Sequence, residues 1–354
     1  MYSQQDLNSA VAAGAISAEA ADALRAHVAA QNDSVPADAE HFRLITGFND
    51  VFVSIGVVIL LVAMAAIGGA IYESSNAPSP VAGALVAGTA WLLAEFFTRK
   101  KRMALPSIIL LLAFVGGVFF ALVGLSLEIV GTNPGPAQET VRALLIALAG
   151  LITAAAAWLH WKRFMVPITI AAGTAALAAT VVALIVAAIG PNSDSVGDVV
   201  LGIVFLVGLV VFAFAMRWDM SDPTRGTRRS DVAFWLHLLA APMIAHPVFS
   251  LIGVTDGSSF GLGAALAVLA IYVAFGLVAL AVDRRALLVS ALAYVLIALT
   301  MLFDRFGAVE LSFALTALVI GSALLTLSAM WTPIRRAVVT AMPATMTARL
   351  PATA

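Results

Sequence analysis

Apolar residues run almost without interruption from position 51 to position 331, broken only by short polar segments. A helix needs roughly 20 apolar residues to cross a hydrocarbon core about 30 Å thick, because each residue rises about 1.5 Å. Ten segments have about that length: Val51–Tyr72, Val81–Thr98, Leu105–Val130, Val141–Trp161, Met165–Ile189, Val199–Met216, Val232–Val254, Leu262–Val282, Leu287–Phe303 and Val309–Trp331. Backbone groups in lipid must be satisfied within the segment, so continuous apolar runs of this length read as helices. The pattern predicts an all-α, polytopic integral membrane helical bundle of about ten transmembrane helices over residues 51–331, followed by a basic tail, 332–354.

The first 31 residues show a different period. Leu7 and Val11 stand four apart before Gly14, and Ile16, Ala20, Leu24 and Val28 recur every fourth residue around and after Ser17. Gly14 suits the left-handed C-terminus of one helix, and the Ser17 hydroxyl suits the N-cap of the next. Residues 1–31 therefore read as a small helical hairpin, too short to bury a core of its own and expected to pack on a protein partner, a second copy of the chain or the inner face of the membrane. Residues 32–50 read as an acidic linker and lead-in to the first span.

Composition agrees: 62% of the 354 residues are hydrophobic and 11% charged, with a mean hydropathy of +1.03, against about half apolar and a quarter charged in soluble domains. Charge changes the picture more than composition does. Of the 19 Lys and Arg, 17 lie before the first span or after the second, fourth, sixth, eighth and tenth, and only Arg142 and Arg305 lie in the alternate loops. By the positive-inside rule both termini are cytoplasmic. The polar first 50 residues give no cleavable signal peptide, so the first span is expected to serve as its own insertion signal. The absence of cysteine excludes a disulfide framework and a thiolate site. Three Lys among many Arg, with abundant Ala, point to a bacterial plasma (inner) membrane.

Leu7, Gly14-Ala15-Ile16-Ser17-Ala18-Glu19 and Leu24, followed by Phe42-Arg43 and Gly47-Phe48-Asn49-Asp50 ahead of the spans, resemble a bacterial family of predicted multi-pass membrane proteins of unknown function. In that family a short N-terminal hairpin with a Gly-x-Ile-Ser-x-Glu turn precedes a helical bundle. The resemblance covers about the first 50 residues and implies no activity and no site residues.

Ionisable groups at membrane depth are functional candidates by default. Four stand out: His246, Glu128, His237 and Glu95. Glu95 precedes Arg99 by four residues and reads as a snorkelled pair, and Glu128 sits near the outer end of its span. Pro242 and Pro247 interrupt the span that holds His237 and His246, leaving the carbonyls of Leu238 and Met243 without their usual donors. Nine residues separate the two histidines, about 180° of helical rotation, so they cannot share a metal on a straight helix. His160, between Trp158 and Trp161, reads as an interfacial anchor. Ala171, Ala175, Ala179, Ala183 and Ala187 form one small-residue ridge and Ala113, Gly117 and Ala121 another, both suited to close helix packing.

All the Asn and Gln lie in tails, loops or span edges, which disfavours a highly polar substrate. No phosphate loop, zinc motif, nucleophile elbow or dinucleotide fingerprint is present. No catalytic role, cofactor, metal or nucleic-acid partner is therefore expected; membrane lipid is the expected partner, and the arginine clusters read as topology determinants in contact with anionic lipid. Three readings follow. The bundle handles a hydrophobic or amphiphilic small molecule, with the hairpin as an interaction module; or it is a secondary transporter of five-plus-five inverted design, coupled through His246 and Glu128; or it is a membrane scaffold or assembly factor.

Overall fold

The computed structural model describes residues 4–24, 48–72, 78–131, 134–223, 225, 227–253, 261–305, 311–343, 347 and 350. Most of the acidic linker, together with Arg25, Arg43, Arg349 and residues 306–310, lies outside the described residues. The chain forms two units, residues 1–42 with 353–354, and residues 43–352. In the first, α1 (Gln4–Ala12) ends where Gly14 turns left-handed at φ +69°, letting the Ala15 amide donate back to Ala10 O at 2.9 Å. The Ser17 hydroxyl accepts from the Ala20 amide at 3.1 Å and starts α2, described over residues 18–24. This is the stop and the cap that the glycine and serine predict.

The second unit is all helix among the described residues: α3 (Phe48–Ile71), α4 (Pro80–Ala94, continued by a π turn over Glu95–Lys100), α5 (Ala104–Val130), α6 (Pro136–Phe164), α7 (Ile168–Ile189), α8 (Val196–Met220), α9 (Arg228–Leu251), α10 (Leu262–Val282), α11 (Ala286–Arg305), α12 (Ser312–Ala329) and α13 (Trp331–Thr340). Helices α3 to α10 and α12 are long and apolar enough to cross a membrane, nine among the described residues. The ninth predicted span is α11, whose apolar stretch among the described residues is shorter, Leu288–Asp304. The protein is thus an all-α polytopic bundle. Its starts follow local chemistry: Ser79 caps α4 ahead of Pro80, Gln138 accepts from the Gly135 amide at 2.9 Å to open α6, and Thr227 caps α9.

Packing follows a row of hairpins. The most extensive pairs are α4 with α5, α6 with α7, α8 with α9 and α10 with α11, and successive hairpins meet through α3, α5, α7, α9 and α11. Close approach explains the α4/α5 pair. A Cβ on Gly83 would lie 2.6 Å from the Ala121 amide nitrogen, and one on Gly117 would lie 2.7 Å from Gly83 O. The predicted Gly117/Ala121 ridge is therefore a genuine crossing point, where only small residues let the backbones meet. Helix α9 lies deepest, with 56% of its apolar window buried against 11–39% for the other eight spans. It runs through Pro242 and Pro247 as one helix, between α7, α8 and α11.

Ion pairs gather the arginine-bearing loops at one end. Arg163 at the end of α6 donates to Glu95 on α4 at 2.7 and 3.0 Å, and Arg284 between α10 and α11 donates to Asp219 at the end of α8. The segment after the tenth span is more than a tail, since α13 lays Trp331, Arg335 and Val339 inward, one turn apart, and packs on α10.

Candidate functional site

Helix α8 carries Asp219 into its last turn, α9 begins eight residues after α8 ends, and a left-handed Asp283 at φ +59° turns α10 into α11. Aspartate tolerates that conformation better than most residues. The three ends converge on the Asp219 carboxylate. Its Oδ1 accepts from Arg284 Nη2 at 2.6 Å, and its Oδ2 accepts from Arg284 Nε at 3.4 Å and lies 2.8 Å from His237 Nε2. With the carboxylate as acceptor, the imidazole proton sits on Nε2. Arg284 also donates to Ser230 through its carbonyl at 3.2 Å and its hydroxyl at 3.1 Å. The His237, Asp219 and Arg284 side chains are 2%, 1% and 4% exposed, and Phe212 meets the His237 ring edge-on. Charges this buried are stable only as a hydrogen-bonded set.

A second node adjoins the first. Asp283 accepts from Arg225 Nη1 at 2.8 Å and from the Trp331 indole at 2.7 Å, with Arg335 Nε 3.6 Å from it. Arg335 donates to Leu280 O at 3.2 Å, and Arg285 lies over the Trp331 ring at 4.6 Å. Together the two aspartates fasten α8, α9, the α10–α11 turn and α13 at the arginine-rich end. The arrangement holds helices in register; it pairs no nucleophile with a base.

The four sequence candidates fall at four separate places. His237 enters the Asp219 cluster. His246 is exposed on α9, its Nδ1 2.6 Å from the Tyr294 hydroxyl of α11, and Tyr294 stacks on Phe249. Glu128 accepts from the Tyr72 hydroxyl. Glu95 pairs with Arg99, as its spacing predicts, and also with Arg163 across the bundle. One expectation is corrected. His160 is no interfacial anchor: it is fully buried among Trp91, Phe114 and Phe164, with Nδ1 3.4 Å from the Thr169 hydroxyl. At about 100° per residue it faces away from Trp158. Trp158 is the exposed one and carries the Lys162 ammonium 3.7 Å above its ring.

Asp219 and Arg284 are the residues that sequence reading missed. The available signal was an acid among the cations at the ends of the sixth and eighth spans, at Asp219 beside Arg217 and at Asp283 beside Arg284.

Between α6, α7, α8 and α9 lies an open groove of about 480 Å3, lined by Ala143, Ala175, Ala179, Ala183, Val204, Leu239, Met243 and other wholly apolar neighbours. The alanine ridge on α7 thus does two jobs. Ala171 and Ala183 are buried against their neighbours, whereas the half-buried Ala175 and Ala179 are too small to fill the space before them and leave it open. Among the described residues no group of His, Asp and Glu is arranged to hold a metal ion. No family model matches the chain, and neither a curated protein nor a solved structure matches it.

Proposed function

We propose that the protein holds a hydrophobic or amphiphilic small molecule within the membrane, in the groove between α6, α7, α8 and α9. The observation that carries this reading is the groove itself. Its volume of about 480 Å3 falls in the usual range for small-molecule sites, roughly 300–1,000 Å3, and its lining offers no hydrogen-bonding side chain to a polar solute. A substrate stripped of water there would leave its polar groups unpaired, which costs about 1–3 kcal/mol each. The proposal includes a bacterial inner-membrane location with both termini cytoplasmic, on the strength of the arginine distribution, and residues 1–31 as a contact for a protein partner. The likeness of the first 50 residues to the hairpin-bearing family is part of it and brings no activity.

The five-plus-five transporter reading draws less support. Its coupling groups, His246 and Glu128, have separate phenolic partners, and the tight α4/α5 pair has no equivalent among the principal pairs five helices later, at α9/α10. A scaffold reading would predict that deleting residues 1–40 abolishes function while filling the groove does not.

The test uses a photoactivatable palmitate analogue as probe, with the protein in lipid nanodiscs. Unlabelled palmitate in excess is expected to compete away crosslinks to α7 and α9, and Ala179→Trp to lower them by about tenfold, the ratio that corresponds to about 1.4 kcal/mol. Crosslinking that neither competitor nor tryptophan reduces would refute the groove as a binding site.

A further inference from the structure

A second, polar hollow of about 470 Å3 opens at the arginine-rich end of the α8/α9 hairpin, lined by Phe214, Arg217, Trp218, Ser221 and Arg229. Arg217 belongs to the last turn of α8 and Arg229 to the first turn of α9, so two guanidinium groups from adjacent helices border one space. Both are exposed, and among the described residues neither guanidinium has an ion-pair partner. The nearby carboxylates are engaged elsewhere. Asp219 serves His237 and Arg284, Asp222 accepts from the Thr227 amide and hydroxyl at 2.9 and 2.7 Å, Asp283 serves Arg225 and Trp331, and Asp231 acts on Arg284 and Arg228. The hollow therefore carries two uncompensated positive charges, beside a hydroxyl and an aromatic pair, Phe214 edge-on to Trp218 at 6.2 Å between centroids.

The geometry points to a site for the phosphate of an anionic phospholipid. Guanidinium forks match phosphate oxygens two at a time, and Arg is the residue suited to such planar recognition. The depth selects a lipid over a soluble phosphate. Phe214 lies one turn into α8 from Trp218, so an acyl chain beneath the bound phosphate meets apolar surface at once, while Trp218 sits where indoles favour the headgroup level. Two cations without a carboxylate favour a headgroup of net negative charge over a zwitterionic one, and basic pockets between spanning helices are known to take such headgroups. This site stands apart from the apolar groove, and either can fail without the other.

The experiment is native mass spectrometry of the delipidated protein in detergent, titrated with phosphatidylglycerol, phosphatidylcholine or inorganic phosphate. One phosphatidylglycerol is expected to bind with at least tenfold preference over phosphatidylcholine. The R217Q/R229Q variant, whose two side chains are exposed and make no hydrogen bond or ion pair among the described residues, is expected to lose that preference. K100Q/K101Q, which removes the same charge at another loop of the same end, is expected to keep it. Equal binding of the two lipids, undiminished binding by R217Q/R229Q, or an equal loss in K100Q/K101Q would overturn the proposal. Displacement of the lipid by millimolar inorganic phosphate would also overturn it, by reassigning the hollow to a soluble phosphate.

Discussion

Replacing Asp219 by Ala removes the acceptor on which three helix ends converge. Arg284 would keep its bonds to the Ser230 carbonyl and hydroxyl but lose its carboxylate partner at Asp219, and His237 Nε2 would lose its partner at 2.8 Å. With the three side chains at most 4% exposed, water cannot replace the carboxylate, and breaking a buried pair by deleting one partner costs about 3–5 kcal/mol. Asp219→Asn keeps one acceptor oxygen but no charge, and is expected to cost roughly 1–3 kcal/mol. Asp219→Leu with Arg284→Met removes both charges and substitutes apolar volume, which is often near neutral, so the double variant should be more stable than Asp219→Ala. The assay is equilibrium unfolding in bicelles by steric trapping, with biotin tags on α8 and α11 so that their separation is the event measured. A loss under roughly 1 kcal/mol for Asp219→Ala, the range of an exposed pair, would refute the reasoning. So would a double variant no more stable than the single one.

Other expectations rest on separate contacts. Gly83→Val sets a side chain against the Ala121 and Gly117 backbones and is expected to cost about 1–3 kcal/mol by forcing α4 from α5, read in the same unfolding assay. Trp331→Phe keeps the ring that lies beneath Arg285 but loses the indole bond to Asp283; single cysteines at Val339 should then react with maleimide several-fold faster, and an unchanged rate would separate α13 docking from that bond. His237→Ala is expected to destabilise the protein more than His246→Ala, because the first is 2% exposed and bonded to a charge whereas the second faces outward, and the reverse order would contradict the placement of both.

Much of this architecture is legible in the chain, for a physical reason. Lipid demands long apolar helices, so α3 to α12 announce themselves by length, and Gly117 with Ala121 announces a crossing because only small residues let backbones touch. The Asp219 cluster is not legible in the same way. His237 and Arg284 lie 18 and 65 residues from Asp219, and no local period links them; the arginine reads as a topology signal until the turn at Asp283 brings it back to α8. His160 misleads because its two tryptophan neighbours in sequence occupy other faces of the helix. Helix α13 escapes notice since the residue between Trp331 and Val339 on its inward face is Arg335, which breaks the apolar pattern while making the contact to Leu280 O.

The groove between α6, α7, α8 and α9 is lined by apolar side chains, while the most deeply buried ion pairs, Asp219 with His237 and Arg284, lie at the arginine-rich end of the bundle. The natural absence of cysteine makes every introduced thiol unique. Single cysteines at Ala179 and Met243 in the groove, with one at Ser193 in the exposed α7–α8 loop, would be exposed in intact cells to a membrane-impermeant maleimide and to a lipid-soluble one. The impermeant reagent is expected to label position 193 alone, while the lipid-soluble reagent also reaches 179 and 243. Rapid labelling of 179 or 243 by the impermeant reagent would mean a water-filled path through the bundle and would contradict the proposed binding groove.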